Sequence, residues 1–352
     1  FSSRLASAMA GVAGRPTLSP ECRDRVLAAF GVTGTEFSEL PSFDDRNFFV
    51  RATDGQSYVL KVHNPLLPSG TRGRLEAQSR LMARLRERGL PVPEVFPTLA
   101  GELTAAAEPE GPGAPAPLAM LIGFLPGRVI SNNELLSHTF LHGVGELAGR
   151  IAAALDGFED EGAHWTWDWD MKRVADVVRS KLHCIRDDAR RSLASRLADE
   201  YAATVVTIAP SLPHTVIHAD LNDTNLLYSD GQLTGVLDFG DSIYSCTVFE
   251  PAIAAGYYSL GQEDPMQVLC SVLRGYVSVA PVELSRQELE VFFQAARGRV
   301  LLSVAFAAEN MALEPDNEYL AHTSEPGWAV LQKLGNVDAA VALSALSDAI
   351  GG

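Results

Sequence analysis

Positive charge is scarce in this sequence. Its 352 residues include 28 lysines and arginines against 44 aspartates and glutamates, which gives a formal net charge of −16 and an isoelectric point of about 4.9. Nucleic acids and anionic membranes are bound by clustered positive charge, so this balance argues against both as the main partner. A negatively charged surface is compatible instead with a small cationic substrate.

Cysteine is scarce as well. Cys22, Cys184, Cys246 and Cys270 are far apart in the chain, without a C-x-x-C pair and without histidines at zinc-binding spacing. The sequence therefore offers no motif for a zinc site or a disulfide framework. We expect reduced, mostly buried thiols and a cytoplasmic protein.

A long uninterrupted hydrophobic run is also missing. Residues 1–14 lack the apolar segment of a signal peptide. The most apolar later stretch, residues 291–308, is interrupted by Gln294, Arg297 and Arg299, so we predict a buried helix there rather than a membrane span. Because the chain begins with phenylalanine, we expect a trimmed chain or part of a longer protein, with a fused partner domain as one expectation.

Residues 215–244 contain the strongest functional signal. An apolar run leads to Asp220, Asn225 follows five residues later, and a hairpin turn at residues 229–232 returns the chain to Asp238. The Asp-Gly pair in that turn tolerates the positive φ that tight hairpins need. Such a hairpin brings two carboxylates and an amide oxygen to one end of a small sheet, where they suit Mg²⁺ and leave positions for phosphate oxygens.

This spacing matches the catalytic core of kinases. There an aspartate accepts a hydroxyl proton, an asparagine five residues later binds metal, and the aspartate of Asp-Phe-Gly binds metal too. The histidine before the first aspartate, His218, is expected to hold the loop by hydrogen bonds. The alternative is a solvent-facing hairpin with ordinary turn carboxylates, which the added Asp-Phe-Gly at the right distance disfavours.

The N-terminal part fits the same plan. A strand over residues 57–62 contains Lys61, and a helix predicted over residues 74–88 contains Glu76. In kinases such a lysine binds the nucleotide phosphates and the glutamate holds the lysine. Taken alone, a lysine on a strand and a glutamate on a helix are more often surface residues.

A glycine-rich phosphate loop is absent. Residues 42–47 take its place, and they supply hydroxyl and amide donors beside two aspartates, Asp44 and Asp45. Because two carboxylates repel a triphosphate, we favour Ser42 and Asn47 as the contacts on the phosphate side.

The predicted fold class is α+β, a two-lobed protein-kinase-like fold with a small β-rich N-lobe and a larger, mainly helical C-lobe. We expect a flexible N-terminal arm over residues 1–17, the N-lobe over 18–125 and the C-lobe over 126–352. A strand at residues 118–125 marks the hinge. Further helices are predicted near residues 140–155, 248–260, 266–279, 285–311 and in one stretch between 328 and 348.

Four stretches together resemble the hydroxylysine kinase group of the aminoglycoside phosphotransferase-like family. They are LPSFDDRNF at 40–48, YVLK at 58–61, HADLNDTN at 218–225 and GVLDFGD at 235–241. Similar segments at 248–250 and 327–328 extend the resemblance over most of residues 20–335. One departure is Ala219, where the family usually has glycine.

The resemblance implies a kinase that phosphorylates the hydroxyl of 5-hydroxy-L-lysine, with Mg²⁺ as cofactor and GTP, or alternatively ATP, as donor. It assigns the general base to Asp220 and the Mg²⁺ ligands to Asn225 and Asp238. It assigns the phosphate-binding lysine to Lys61 and its ion-pair partner to Glu76.

Three further carboxylates are candidates for binding the ammonium group of an acceptor, namely Asp223, Asp241 and Glu250. For Asp241 and Glu250, helix capping or a tie to a core arginine is an equally good interpretation. The tryptophans at 165, 167 and 169 are better explained as anchors of an irregular loop than as a substrate-stacking patch. Homoserine-, choline- or aminoglycoside-type acceptors remain alternatives. A nucleotide-binding pseudokinase or interaction module is the alternative of another class, and it would be expected to lack Lys61, Asp220, Asn225 or Asp238.

Overall fold

The structure is a computed structural model that describes residues 15–42, 44–109, 111, 113–130, 136–229, 231–280, 283–313 and 318–351. The predicted N-terminal arm therefore lies outside the described residues except for 15–17. Phe43 in the predicted phosphate-side turn and Asp230 in the predicted hairpin turn also lie outside them.

An antiparallel sheet forms the N-terminal half of the fold. Its strands follow the order β1-β2-β3-β6-β4, and β5 pairs with β6. Side chains alternate along β3, so that Tyr58, Leu60 and Val62 enter the core while Lys61 faces the other side. The strands are β1 Gly34–Leu40, β2 Arg46–Ala52, β3 Ser57–Val62, β4 Val95–Phe96, β5 Ala105–Ala106 and β6 Leu118–Gly123.

Two helices accompany this sheet. Helix α1, Pro20–Ala29, begins at a cap in which the Ser19 side chain accepts a hydrogen bond from the backbone of Cys22, and proline occupies the first turn. Helix α2, Arg72–Glu87, starts two residues earlier than predicted. Its apolar face belongs to the larger core of the molecule, so α2 links the sheet to the helical half.

The C-terminal half is mainly helical, as the predicted fold class requires. The capping box at the start of α8 is formed, because Ser285 and Glu288 exchange side-chain-to-backbone hydrogen bonds. The helices are α3 His138–Ala154, α4 Val174–Lys181, α5 Asp188–Tyr201, α6 Phe249–Tyr258, α7 Pro265–Val279, α8 Arg286–Leu313, α9 Glu318–Leu334 and α10 Ala339–Ile350.

The C-terminal end differs from its prediction. One closing helix between residues 328 and 348 was expected, but the chain forms α9 and α10 with a short break between them. The Asp338 side chain accepts a hydrogen bond from the backbone of Ala340, and this cap starts a new helix. Helices α4 and α5 had no counterpart in the sequence prediction.

Helix α8 is the centre of the helical half. It is long and apolar enough to cross a membrane by length and composition alone, with a mean hydropathy of 1.3 over its most apolar window, yet that window is entirely buried inside the protein. The prediction of a buried helix is confirmed. Two arginines near its middle, Arg297 and Arg299, are only 3% and 2% exposed.

Two small pairs of antiparallel strands position the predicted catalytic residues. Strand β7, His214–Ile217, pairs with β10, Ile243–Cys246, while β8, Leu226–Ser229, pairs with β9, Gln232–Val236. The loop between β7 and β8 and the loop between β9 and β10 therefore emerge side by side.

Candidate active site

The loop after β7 begins with a strained turn. Ala219 has φ of +67°, a left-handed conformation that an L-residue with a side chain rarely adopts. The backbone N–H of His218 donates to the carboxylate of Glu250, which is completely buried on α6. This requirement for positive φ explains why a glycine suits the position of Ala219.

His218 holds this loop from below. Its ring is buried, with Nε2 at 2.8 Å from the carbonyl oxygen of Leu237, and its Nδ1 accepts a hydrogen bond from the backbone N–H of Asp220 at 3.2 Å. Nδ1 is therefore the unprotonated nitrogen and Nε2 the donor. Burial lowers the pKa of His218, which favours this neutral form, and the contacts match the predicted loop-holding role.

The carboxylate of Asp220 accepts hydrogen bonds from three side chains. Oδ1 accepts from Nη2 of Arg299 at 2.8 Å. Oδ2 accepts from Nδ2 of Asn222 and from Nδ2 of Asn225, both at 2.8 Å. Among these partners, sequence reasoning had assigned a site role only to Asn225.

Asn225 and Asp238 both lie at the base of the hairpin formed by β8 and β9. Nδ2 of Asn225 also donates to the carbonyl oxygen of Asp220 at 2.9 Å. Because both partners of this amide nitrogen can only accept, Oδ1 of Asn225 is turned away from them. The backbone N–H of Leu237 donates to the carbonyl of Asn225 at 2.8 Å, which brings the adjacent Asp238 to the same place.

Lys61 reaches this place from the sheet. Its Nζ lies 2.9 Å from Oδ1 of Asp238, whose backbone has a left-handed φ of +57°. Burial alone would lower the pKa of Lys61, but the carboxylates of Asp238 and Asp45 raise it above its ordinary value. The positive charge of Lys61 in turn lowers the pKa of Asp238, so both groups are charged.

The predicted ion pair between Lys61 and Glu76 is wrong for this structure. Glu76 lies on the outward side of α2, where its carboxylate is 3.7 Å from Arg80 and 4.0 Å from Arg72. The inward position on this helix is taken by Arg74.

Arg74 ties α2 to the loop that contains Asp238. Its guanidinium donates, at 2.8 Å each, to the carbonyl oxygens of Gly162, Gly240 and Ser242. It also lies 3.8 Å from the ring centroid of Trp165, whose Nε1 donates to the same Ser242 carbonyl at 3.1 Å. Burial lowers the pKa of Arg74 to about 10, and the side chain remains charged at neutral pH.

The tryptophan-rich segment anchors its loop to the core, as predicted. Trp169 stacks on Phe306 of α8 with ring centroids 4.6 Å apart. Trp165 and Trp167 stack on each other at 5.1 Å. These contacts, together with the one to Arg74, account for the aromatic residues without a substrate.

The turn before β2 contains two aspartates in different environments. Asp45 accepts hydrogen bonds from the backbone of Asn64 at 2.9 Å and lies 2.8 Å from Nδ1 of His63. Burial would raise the pKa of Asp45, but His63 and the other donors lower it to about 2. Burial, and then the charge of Asp45, raise the pKa of Asp44 to about 6.

Asn47 lies directly beside Lys61, since the two residues are paired across β2 and β3, and paired residues share a face of the sheet. Its Oδ1 is buried without a hydrogen-bond partner in the described part of the chain. Ser42 is half-buried in the irregular segment that precedes β2. Both predicted phosphate-side residues thus lie on the part of the chain that leads to Lys61.

The three predicted acceptor-binding carboxylates separate into two groups. Asp223 and Asp241 are half-buried, and burial followed by the charge of Asp220 raises the pKa of Asp241 well above its usual range. The prediction for Glu250 is wrong, because its side chain is 0% exposed and bonds to the backbone of the catalytic loop. Burial raises the pKa of Glu250 to about 8.

Within the described residues no cluster of three or more His, Cys, Asp or Glu side chains forms a metal site. The Asn225 amide oxygen and the Asp238 carboxylate are the predicted metal ligands, and Nζ of Lys61 lies 2.9 Å from the second of them. Two hard oxygen ligands fit Mg²⁺ when it binds together with nucleotide phosphates, and they are too few for a site made by protein alone.

Comparison with known proteins agrees with this geometry. The model of the phosphotransferase enzyme family (APH) matches residues 8–289. The chain is 30% identical over 331 residues to a hydroxylysine kinase of Mus musculus, covering 88% of this chain and 87% of the mouse protein. It is also 30% identical over 332 residues to a hydroxylysine kinase of Danio rerio, covering 91% and 92%.

The fold is shared with solved kinase structures. An amicoumacin kinase, hAmiN, in complex with AMP-PNP, Ca²⁺ and Ami, has a TM-score of 0.70 at 16% identity, covering 92% of this chain and 97% of that one. The family match and the two relatives have the same implication. This chain belongs to the phosphotransferase enzyme family and is a small-molecule kinase that uses a nucleotide donor and acts on an alcohol group.

Proposed function

We propose that this kinase transfers the γ-phosphoryl group of GTP or ATP to the hydroxyl of a cationic hydroxy amino acid, with 5-hydroxy-L-lysine as the first choice. Its 30% identity to proteins named hydroxylysine kinase over about nine-tenths of the chain supports this substrate. The observation on which the proposal depends is the Asp220 carboxylate, held by three side chains beside Asp238 and Lys61.

Asp220 is proposed to orient the acceptor hydroxyl and to accept its proton during transfer. Phosphoryl transfer depends mainly on positioning and on charge stabilisation, so an aspartate with a fixed rotamer suits this role. The hydrogen bonds from Asn222 and Asn225 fix Oδ2, and the bond from Arg299 fixes Oδ1. His218 contributes through the backbone of Asp220, not by touching the substrate.

Asn225 and Asp238 are proposed to hold Mg²⁺. The outward-turned Oδ1 of Asn225 and the carboxylate of Asp238 are the hard oxygen ligands that this ion prefers. When bound, the ion would neutralise charge on the transferring phosphate. Lys61 is proposed to bind the nucleotide phosphates, with Ser42 and Asn47 as donors on the same side. The group of Asn47 that would donate to phosphate is its amide nitrogen. The amide oxygen, Oδ1, is buried and accepts no hydrogen bond within the described residues.

Asp241 and Asp223 are proposed to attract the ammonium group of the acceptor. Asp241 follows the metal-binding loop and makes no side-chain hydrogen bond to other described residues. Its strongly raised pKa reflects burial next to Asp220, an environment that a substrate cation would relieve. Homoserine, choline and aminoglycosides are the alternative acceptors, and a nucleotide-binding pseudokinase is the alternative of another class. A cytoplasmic location, which depends on four free cysteines, stays a prediction.

The experiment is a substrate panel that measures release of nucleoside diphosphate with Mg²⁺. GTP and ATP are each combined with hydroxylysine, lysine, homoserine, choline and kanamycin. Asp220→Asn keeps the size of the catalytic side chain and removes its charge. Asp176→Asn is the matched control, since the Asp176 side chain is 81% exposed on α4.

We expect turnover with hydroxylysine that falls about 100- to 10,000-fold in Asp220→Asn, the usual contribution of a general base, and is kept in Asp176→Asn. Lysine lacks the hydroxyl, so it should bind without turnover. Turnover with homoserine, choline or kanamycin alone would refute the substrate and keep the kinase. Nucleotide binding without turnover for every acceptor would favour the pseudokinase.

A further inference from the structure

We propose that Arg299 is a positioning residue of this kinase. It fixes the Asp220 carboxylate so that one lone-pair position of that carboxylate faces the substrate hydroxyl that receives the phosphoryl group. The inference rests on the proposed role of Asp220 and extends it to a residue on a distant helix. Arg299 follows Asp220 by 79 residues along the chain.

Arg299 is itself held rigidly. Its Nε donates to the hydroxyl of Tyr257 on α6 at 2.9 Å, and its Nη1 donates to the carbonyl oxygen of Trp169 at 3.2 Å. The guanidinium carbon lies 4.7 Å from the ring centroid of Trp169 and 5.0 Å from that of Tyr257. With the side chain 2% exposed, the planar group has one orientation, and its remaining nitrogen points at Asp220.

Counting the acceptor positions of Asp220 shows what this orientation achieves. A carboxylate offers about four lone-pair positions, two on each oxygen. Asn222 and Asn225 use both positions of Oδ2, and Arg299 uses one position of Oδ1. Within the described residues one position remains, on Oδ1 beside Arg299, and the Asp220 side chain is 16% exposed. An acceptor hydroxyl would therefore bind Oδ1.

The fork shape of arginine is essential to this arrangement. A single guanidinium reaches Tyr257, Trp169 and Asp220 from three directions, whereas the ammonium of lysine is a compact point charge on a flexible stem. Arg299→Lys therefore keeps the positive charge next to Asp220 and removes the fixed geometry. A loss of activity in this variant reports on orientation and not on charge.

Arg297 offers a matched control two residues earlier on α8. It is 3% exposed, and its Nη2 forms an ion pair with Glu200 of α5 at 2.8 Å. Arg297→Lys thus disturbs an equally buried arginine of the same helix without touching Asp220. Any general effect of substituting a buried arginine in α8 should appear in both variants.

The test measures kcat, the KM for acceptor and nucleotide, the nucleotide Kd and the thermal midpoint. The variants are Arg299→Lys and Arg297→Lys, each made in the parent protein and in the Asp220→Asn background. We expect Arg299→Lys to lower kcat by about 100-fold, since a misplacement of about 1 Å can cost that much. Nucleotide Kd should change less than about twofold. Arg297→Lys should share the fall in thermal midpoint and keep kcat.

The double variant provides the decisive readout. If Arg299 acts through Asp220, then Arg299→Lys adds no further loss to Asp220→Asn, as expected for residues that act as one unit. Equal kcat for Arg299→Lys and Arg297→Lys would overturn the proposal, as would an undiminished loss in the Asp220→Asn background. Full activity of Asp220→Asn would instead overturn the proposed function, and the positioning role with it.

A second variant decides the matter if Arg299→Lys does not fold. Tyr257→Phe removes only the hydroxyl that holds Nε of Arg299, and we expect it to lower kcat about tenfold with nucleotide Kd unchanged. Tyr201→Phe is its control, because the buried Tyr201 hydroxyl donates to the carbonyl of Met171. Equal kcat for these two phenylalanine variants would refute the positioning role.

Discussion

The two sides of the candidate active site are built differently. On the catalytic-loop side, residues 218–225, the polar side chains of His218, Asp220 and Asn225 are bonded to neighbours within the helical half. On the strand side, β2 and β3, Lys61 bonds to Asp238 on the other side of the site, and Oδ1 of Asn47 has no partner among the described residues.

The difference indicates which half of the reaction each side serves. Groups whose rotamers are fixed by hydrogen bonds formed on folding keep their geometry before any ligand binds, which is the condition for orienting an acceptor hydroxyl. Lys61 has capacity that a nucleotide would use, since phosphate oxygens can replace a carboxylate as partner of an ammonium. The catalytic-loop side is therefore preorganised, and the strand side is completed by its ligand.

Among the substitutions that test this comparison, Lys61→Met should have the largest effect on activity. It removes the cation on the strand side and leaves the catalytic-loop side intact, so we expect kcat/KM for the nucleotide to fall about 100- to 1000-fold. Lys333→Met is the control, because Lys333 contacts the carbonyl of Glu263 on the surface. A fall of less than tenfold would mean that the strand side does not bind the phosphates.

Arg74 and Glu76 provide a second test on a single helix. Arg74→Lys loses the bonds to three carbonyls around the Asp238 loop, and we expect kcat to fall about tenfold because the loop loses its orientation. Glu76→Gln should stay within about threefold, since Glu76 faces Arg72 and Arg80 at the surface. A tenfold loss for Glu76→Gln would show that Lys61 pairs with Glu76 in the working enzyme.

Glu250 should make stability depend on pH. Its pKa is raised from 4.5 to about 8 by burial. Between these two pH values the carboxyl is protonated in the folded protein and ionised in the unfolded chain. The stabilisation from this carboxyl is complete below pH 4.5 and is lost as pH rises through 8. The difference can reach a few kcal/mol in order of magnitude.

The measurement compares the free energy of urea unfolding of the parent protein and of Glu250→Gln at pH 5.5 and pH 8.5. The neutral glutamine should lose less stability than glutamate over this range. His218 titrates in both proteins and cancels in the comparison. A pH dependence that is the same in both would contradict the assigned burial of a protonated carboxyl.

Ala219→Gly should have the smallest effect. It removes the cost of a left-handed φ for alanine, and we expect the free energy of unfolding to rise by about 1 kcal/mol with kcat unchanged. Ala83→Gly is the control, because Ala83 is solvent-exposed in the middle of α2. Glycine at that position should lower the free energy of unfolding by about 1 kcal/mol. Destabilisation by both changes would contradict the strain at Ala219.

The sequence was sufficient to predict the parts of the fold and site that depend on local patterns. The spacing of Asp220, Asn225 and Asp238 within one hairpin and the strand that contains Lys61 are both short-range signals. Arg299 and Arg74 were missed because their partners are 79 and up to 168 residues away. No periodicity within one element reports such contacts.

The wrong assignment of Glu76 has a local cause. Residues two apart on a helix point about 200° away from each other around its axis. The spacing from Lys61 predicts the helix residue that faces the site only to within about two residues, so it cannot decide between Arg74 and Glu76. Glu250 was misassigned for a related reason. A sequence gives the distance of a carboxylate from Asp238 along the chain but not its depth in the core.

The bond between Lys61 and Asp238 has a consequence for how the protein acquires activity during synthesis. The two residues are 177 positions apart, so the ribosome has finished the whole sheet and several helices before Asp238 emerges. A nascent chain contains Lys61 long before it contains Asp238. A chain that ends before Asp238 would carry the lysine without its carboxylate partner and without one of the two proposed Mg²⁺ ligands.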